Sequence, residues 1–301
     1  MNAVTAAHPV PALLGESPLW SVAEQCLYYV DIPGREVRRF DPATGDLQCW
    51  PTESEPGSIA LLSKDGEGGG LLLAQRSGLF TVDTKTGEQT RIGEPPYDPA
   101  KQRFNDGKPD AAGRFWVGTI DDARAPDAQL FRYVDGQFEA MAGDAAVGNG
   151  LGWSPDGRTQ YWTDTKAHEI YRFDFDVTTG TLGPRELFAR FDKRSADQPV
   201  EAYGGRPDGA AVDVEGCYWV AMFEGQRLLR LSPRGEILQE LRLPVRCATM
   251  PAFGGADLRT LYITTAREKR PADELAAQPL AGCLLQVRVD VPGLAPNFAR
   301  L

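Results

Sequence analysis

Four oxygen-bearing side chains recur at similar distances ahead of short aromatic runs. Glu16 lies 13 residues before Tyr29 and Asn149 lies 13 before Trp162, while Asn105 and Asp208 lie 11 before Trp116 and Trp219. Two carboxylates and two amide oxygens form a hard-oxygen set suited to Ca2+, Mg2+ or Mn2+, and two carboxylates balance one divalent charge. Zn2+ or Fe2+ would ordinarily recruit imidazole. The histidines are His8, in the leading segment, and His168, expected in a surface turn. A small protein ligand set leaves positions open for water and substrate, as a catalytic metal requires. Taken singly, each residue is ordinary: Asn105, Asn149 and Asp208 stand next to or near glycines, as turn formers do, and Glu16 reads as a surface carboxylate. The shared phase is what makes them one candidate site.

Such a site needs a scaffold that repeats. Six apolar runs of similar character centre on Tyr29, Leu72, Trp116, Trp162, Trp219 and Tyr262, roughly 43 to 57 residues apart, the range of propeller blades. Turn pairs precede most of them: Asp65-Gly66, Ala112-Gly113, Asp156-Gly157 and Glu215-Gly216. A third strand follows most, as in Val37–Phe40, Leu130–Tyr133 and Ile170–Phe173, and then a polar turn such as Thr44-Gly45 or Thr179-Gly180. No long 3.6-periodic segment interrupts the series. The expected fold is all-β, a six-bladed β-propeller over residues 1–301 as a single domain, with a β-sandwich as the alternative. Blade six is expected to close with a hairpin over Gly282–Asp290, and Ala3–Leu14 to return and complete its sheet. In a propeller the strand before each turn pair is innermost, so equal phase places the four side chains at equal height around one channel mouth. The charged, Pro- and Gly-rich stretch Arg190–Gly205 reads as an elaborated loop, with a lid over that mouth as the second reading.

Composition narrows the partners. The 301 residues are 42% hydrophobic and 25% charged, ordinary for a soluble globular protein, and the 32 Gly and 23 Pro are scattered as frequent turns would scatter them. A net charge of -10 argues against nucleic acid and anionic lipid. No segment has the form of a secretory signal or a membrane span, so a cytoplasmic location is expected, with no obligate protein partner evident. Five cysteines without CxxC spacing read as reduced thiols, several of them buried. There is no G-x-S-x-G elbow and no Rossmann or P-loop glycine pattern.

The segments Gly15-Glu16-Ser17-Pro18-Leu19-Trp20, Arg103–Lys108, Gly148-Asn149-Gly150-Leu151, Pro207-Asp208-Gly209 and Phe253-Gly254-Gly255 together resemble the SMP-30/gluconolactonase/regucalcin family. The resemblance runs in the family's order from about Gly15 to Arg267. It implies a propeller with one divalent metal ion at the channel mouth and hydrolysis of a small sugar lactone. By motif it makes Glu16, Asn149 and Asp208 metal ligands and Asp208 the catalytic acid/base. Asn105 would approach metal and substrate, and Arg103 would bind a substrate oxygen. Ca2+ leads as the metal, with Zn2+, Mg2+, Mn2+ or Fe2+ as alternatives. Animal members carry a further substrate-binding carboxylate shortly after the counterpart of Gly118-Thr119. Here the aligned position is Ala123, so Asp122 is the nearest candidate. Rival readings are an organophosphate or aryl-ester hydrolase on the same site, a calcium-binding regulatory protein without turnover, and an inert scaffold.

Overall fold

The six central runs are continuously apolar instead of alternating, as a strand buried on both faces must be. The computed structural model describes residues 3–64 and 67–301. Its antiparallel sheets form the six blades of a β-propeller, each innermost strand packing against the innermost strand of the next. The six larger hydrophobic clusters each lie between a pair of adjacent blades. Within the second strand of blade 1, Cys26–Asp31, Leu27 and Tyr29 face blade 6 while Tyr28 and Val30 face blade 2. In Phe115–Asp121 of blade 3, Phe115 and Val117 face blade 2 and Trp116 faces blade 4. This is the period-2 alternation of a strand with apolar residues on both sides. At roughly 1.5–3 kcal/mol per fully buried large side chain, these clusters are the main force holding blade to blade.

The innermost strands of blades 1 to 6 are Gly15–Ser21, Pro56–Lys64, Gln102–Pro109, Gly148–Trp153, Arg206–Val212 and Ala248–Gly254. The turns after three of them end as expected, with Gly113, Gly157 and Gly216 at φ of 93°, 68° and 80°; the expected Asp65-Gly66 turn lies outside the described residues. Ring closure differs in one respect. The expected hairpin over Gly282–Asp290 is a single strand, Leu284–Arg288, and its outer partner is the leading strand Thr5–His8, paired antiparallel to it. The leading residues are thus the fourth strand of the blade, leaving no room for a second hairpin arm.

Three further features were not anticipated from the sequence. A short helix, Ala272–Ala277, is inserted between the second and third strands of blade 6. The stretch after Glu186–Arg190 contains a 3-10 turn, Val200–Ala202, and a buried Tyr203. Finally, residues 293–299 cross the end of the axis opposite the starts of the inner strands. Gly293 bridges to Asp213, Asn297 Nδ2 donates to Pro109 O (3.1 Å), and Phe298–Ala299 pairs in parallel with Leu61 and Leu62 of blade 2. Leu294–Asn297 lines an apolar cavity there with Trp20, Trp153, Met250 and Phe253. All five cysteines are free thiols, four buried and Cys49 exposed. Among the described residues no helix is long and apolar enough to cross a membrane.

Candidate metal and substrate site

Glu16, Asn105, Asn149 and Asp208 occupy the innermost strands of blades 1, 3, 4 and 5, near the end at which those strands begin. At each of them the ladder slips. Pairing runs to Glu16↔Val30 and resumes at Leu19↔Tyr28; it likewise breaks between Phe104 and Gly107, Asn149 and Gly152, and Pro207 and Ala210. A bulge bends its strand and re-aims the side chain at the slip. Here four bulges at one height turn polar side chains toward the axis. In blade 4 the bulge needs glycine: Gly150 has φ of 59°, and a Cβ there would lie 2.3 Å from Thr163 Oγ1 and from the Tyr218 hydroxyl.

The side chains meet. Arg103 Nη1 donates to Asn105 Oδ1 (2.7 Å), and Asn105 Nδ2 donates to Asn149 Oδ1 (2.9 Å) and Gly148 O (3.0 Å). Asn149 Nδ2 in turn donates to Thr165 Oγ1 (2.8 Å) and to Asp208 Oδ1. Glu16, Arg103, Asn105, Asn149 and Asp208 all line one cavity of about 340 Å³ at the mouth, to which the described residues of blades 2 and 6 contribute no lining. Asp122 is not part of that lining. It stands half-exposed beyond it, its two carboxylate oxygens taken by Arg76 Nη1 and Nη2 (3.0 and 3.1 Å).

The electrostatics of the pocket favour a cation. Burial raises the pKa of Glu16 well above the carboxylate range, and the neighbouring charges of Asp208 and Asp106 raise it further. Burial likewise raises Asp208, with Asp106 adding to the shift and Arg206 opposing it. Asp106 sits immediately behind, raised by burial and opposed by Lys108; its Oδ2 accepts the Leu151 amide (2.9 Å). The Lys108 ammonium donates to Leu151 O (2.9 Å) and Ala210 O. Among the described residues no three His, Cys, Asp or Glu side chains form a ready-made ligand cluster. A cation would therefore be held by a mixed set, the Glu16 and Asp208 carboxylates with an amide oxygen, and these hard donors fit Ca2+, Mg2+ or Mn2+.

The raised carboxylate pKa values set the sign of a stability test. Between the unfolded carboxylate pKa of about 4 and the raised folded values, Glu16, Asp208 and Asp106 bind more protons in the native metal-free chain than in the unfolded one. Their contribution to stability should therefore fall as pH rises through that interval. Saturating divalent cation, which displaces those protons, should cancel the fall. Thermal melts from pH 4 to 8 with chelator and with added Ca2+ measure both.

Several residues of the mouth escaped the sequence reading. Thr165, after the second strand of blade 4, Thr159–Asp164, accepts from Asn149 and donates to Asp208 (3.5 Å). Because it fixes how the Asn149 amide faces, Thr165→Val should weaken divalent-cation binding about 10- to 100-fold, measurable by calorimetry. His168 does lie in a turn, but a buried one on the cavity wall. Its Nε2 meets the Tyr203 hydroxyl (3.3 Å), and burial keeps its pKa low. The surface placement expected for it is corrected because Tyr203, from the long 191–205 connection, covers it. Asp106 and Lys108 were in view within Arg103–Lys108 but have no counterpart at the same phase in the other blades; only the bulge brings them to the axis.

Fold and site together define a six-bladed propeller with an oxygen-donor pocket at one mouth, and the chain belongs to the SMP-30/gluconolactonase/LRE-like family, whose model matches residues 14–267. It is 46% identical over 292 residues to the 6-deoxy-6-sulfogluconolactonase of Pseudomonas putida, covering 96% of each chain. It is 36% identical to regucalcin of Danio rerio over 94% of this chain and 93% of that one. Among solved structures it resembles a regucalcin from Agrobacterium tumefaciens, described as a calcium-binding protein. The TM-score is 0.90 at 28% identity, covering 100% of this chain and 98% of the other.

Proposed function

We propose that this protein is a sugar lactonase, hydrolysing an aldonolactone to its aldonic acid with one divalent cation held by Glu16, Asn149 and Asp208. The observation that carries the reading is the unbroken chain of side-chain contacts Arg103–Asn105–Asn149–Asp208 along a cavity that Glu16 also faces. Membership of a family that includes a named gluconolactonase relative supports it. When bound, the cation would supply Lewis acidity and charge neutralisation at the lactone carbonyl.

The chain's own residues have distinct tasks. Arg103, fixed by Asn105 and the Phe104 carbonyl, presents its remaining N–H groups to substrate oxygens. A site built to hydrogen-bond hydroxyls rejects isomers that leave those groups unpaired. Asn105 holds the Asn149 amide in place and lies beside the substrate. Asp208 would take a proton from the attacking water and return it to the ring oxygen as the ester bond breaks. The Asn149 and Thr165 donors to Asp208 Oδ1 leave Oδ2 as its working oxygen. Asp122 is the outermost of the proposed contacts, its carboxylate shared with Arg76. Ca2+ is the first cation to test, with Mg2+, Mn2+, Zn2+ and Fe2+ after it.

The test is a pH-drop assay on chelated protein with each divalent ion added back. The panel comprises gluconolactone, xylonolactone, arabinolactone, galactonolactone and, given the Pseudomonas relative, 6-deoxy-6-sulfogluconolactone. Metal-restored opening of at least one lactone well above the buffer rate is expected. No turnover on any of them would overturn the reading. Activity on a phosphotriester or aryl ester alone would favour the hydrolase rival, and tight Ca2+ binding without turnover the regulatory one.

A further inference from the structure

Three cationic side chains of the mouth have no carboxylate paired with them among the described residues. Asp106 lies against Lys108, and Arg206 is paired with Glu224 (2.9 Å). Arg76 holds both Asp122 and Glu55. Under the reading above, Glu16 and Asp208 are balanced by a divalent cation. Arg103, Arg124 and Lys166, all on the cavity wall, make no ion pair among the described residues. Their partners are neutral oxygens: Arg103 binds Phe104 O and Asn105 Oδ1, Arg124 Nη1 binds Asp121 O (2.8 Å) and Asp122 O (3.4 Å), and Lys166 Nζ binds Arg124 O (3.2 Å). Each is aimed by a carbonyl or amide oxygen yet keeps N–H groups to spare.

Crowding sharpens the point. Burial lowers the Arg103 pKa to about 10, and the like charges of Arg76 and Arg124 lower it further, with Glu16 and Asp122 opposing. His168, the other titratable side chain on this wall, is held toward its neutral form by burial and Arg206, so it adds little charge. In a chain of net charge -10, a partly buried arginine beside two others with no carboxylate bound to it is an arrangement that an oxyanion would relieve. The three cations come from blade 3 and the second-to-third-strand loops of blades 3 and 4, beside Asn105 and Asn149 and flanking the proposed metal ligands.

We propose that Arg124 and Lys166, with Arg103, form an anion subsite, so that the preferred lactone carries a sulfonate, phosphate or carboxylate on the carbon furthest from its ring carbonyl. This rests on the lactonase reading and narrows its substrate class. With the carbonyl end toward Glu16 and Asp208, the anionic end lies over the Arg124–Lys166 edge, where charge-assisted hydrogen bonds replace contacts to neutral oxygens.

The experiment compares kcat/KM for gluconolactone with that for its 6-sulfonate, 6-phosphate and 6-carboxylate counterparts. It uses metal-loaded wild type, Arg124→Gln, Lys166→Gln and the double variant, with melting curves to verify folding. Wild type should prefer at least one anionic lactone about tenfold or more, and the arm with the largest ratio identifies the anion. That ratio should fall about tenfold or more in the double variant, mainly through KM, and should shrink at high salt. A wild-type preference for the neutral lactone, or an unchanged ratio in the double variant, overturns the proposal. If wild type opens neither class, the lactonase reading itself fails. Calorimetry with the open-chain 6-sulfonated acid against gluconate then decides the subsite: tighter binding that the double variant loses supports it, and equal binding overturns it.

Discussion

Asp208→Asn should lower kcat/KM for the preferred lactone by about 10^2- to 10^4-fold while the propeller stays folded, since general acid–base groups contribute on that scale. Asn is nearly isosteric and its carbonyl oxygen can still accept from Asn149 and Thr165, so the loss would fall on proton transfer and cation binding, not on packing. In the metal-free state the variant should be no less stable than wild type. Removing one of three crowded carboxylates relieves part of what raises Glu16. Glu16→Gln should likewise abolish turnover without unfolding. The readouts are steady-state rates, metal content and circular dichroism. Global unfolding of either variant would contradict their placement at a channel mouth, and unchanged metal content in Asp208→Ala would favour the inert-scaffold reading.

The largest stability effect is expected at the other end of the same inner strand. Asp213 is fully buried and accepts from the amides of Glu215 (3.0 Å) and Cys217 (2.9 Å), from Trp219 Nε1 (3.0 Å) and from Arg230 Nε (2.8 Å). It pins the turn, the second strand and the third strand of blade 5 with one side chain. Asp213→Ala leaves turn amides, an indole and a mostly buried guanidinium without that acceptor, and should cost about 3–5 kcal/mol. Glu215 still reaches Arg230, which places the effect toward the lower part of the range. Asp213→Asn, which keeps an acceptor for the turn amides, should lose less. Urea denaturation separates them by midpoint at constant slope. Asp110 does the same work in blade 3 through Ala112, Arg114 and Trp116, so a similar loss is expected there.

These buried acids also show what the sequence could and could not reveal. Counting back from aromatic centres gave 13 and 11 residues, a near match that brought the four site residues together but misjudged the frame. In the register, Glu16, Asn105, Asn149 and Asp208 each stand five residues before the residue that binds the turn at the end of the inner strand or just past it: Ser21, Asp110, Ser154 and Asp213. One residue of the discrepancy is turn length, four residues at Val22–Gln25 and Pro155–Arg158 but three at Ala111–Gly113 and Val214–Gly216. The other is that Trp116 and Trp219 face the following blade, whereas Tyr29 and Trp162 face the preceding one. The blade repeat was legible because double-sided burial writes continuous apolar runs into the chain. Thr165, Arg124, Lys166 and His168 were not, since loop side chains carry no period. Asp122 was placed by motif spacing alone, which does not register that Arg76 of the neighbouring blade claims it.

The strap Leu294–Asn297 has a kinetic consequence. That segment and the Lys108 ammonium, tied to two carbonyls, both line the cavity at the far end of the axis, away from the proposed site. Under the lactonase reading, lactone and acid share the opposite mouth, so the released aldonate should inhibit competitively and raise the apparent KM while leaving the maximal rate in place.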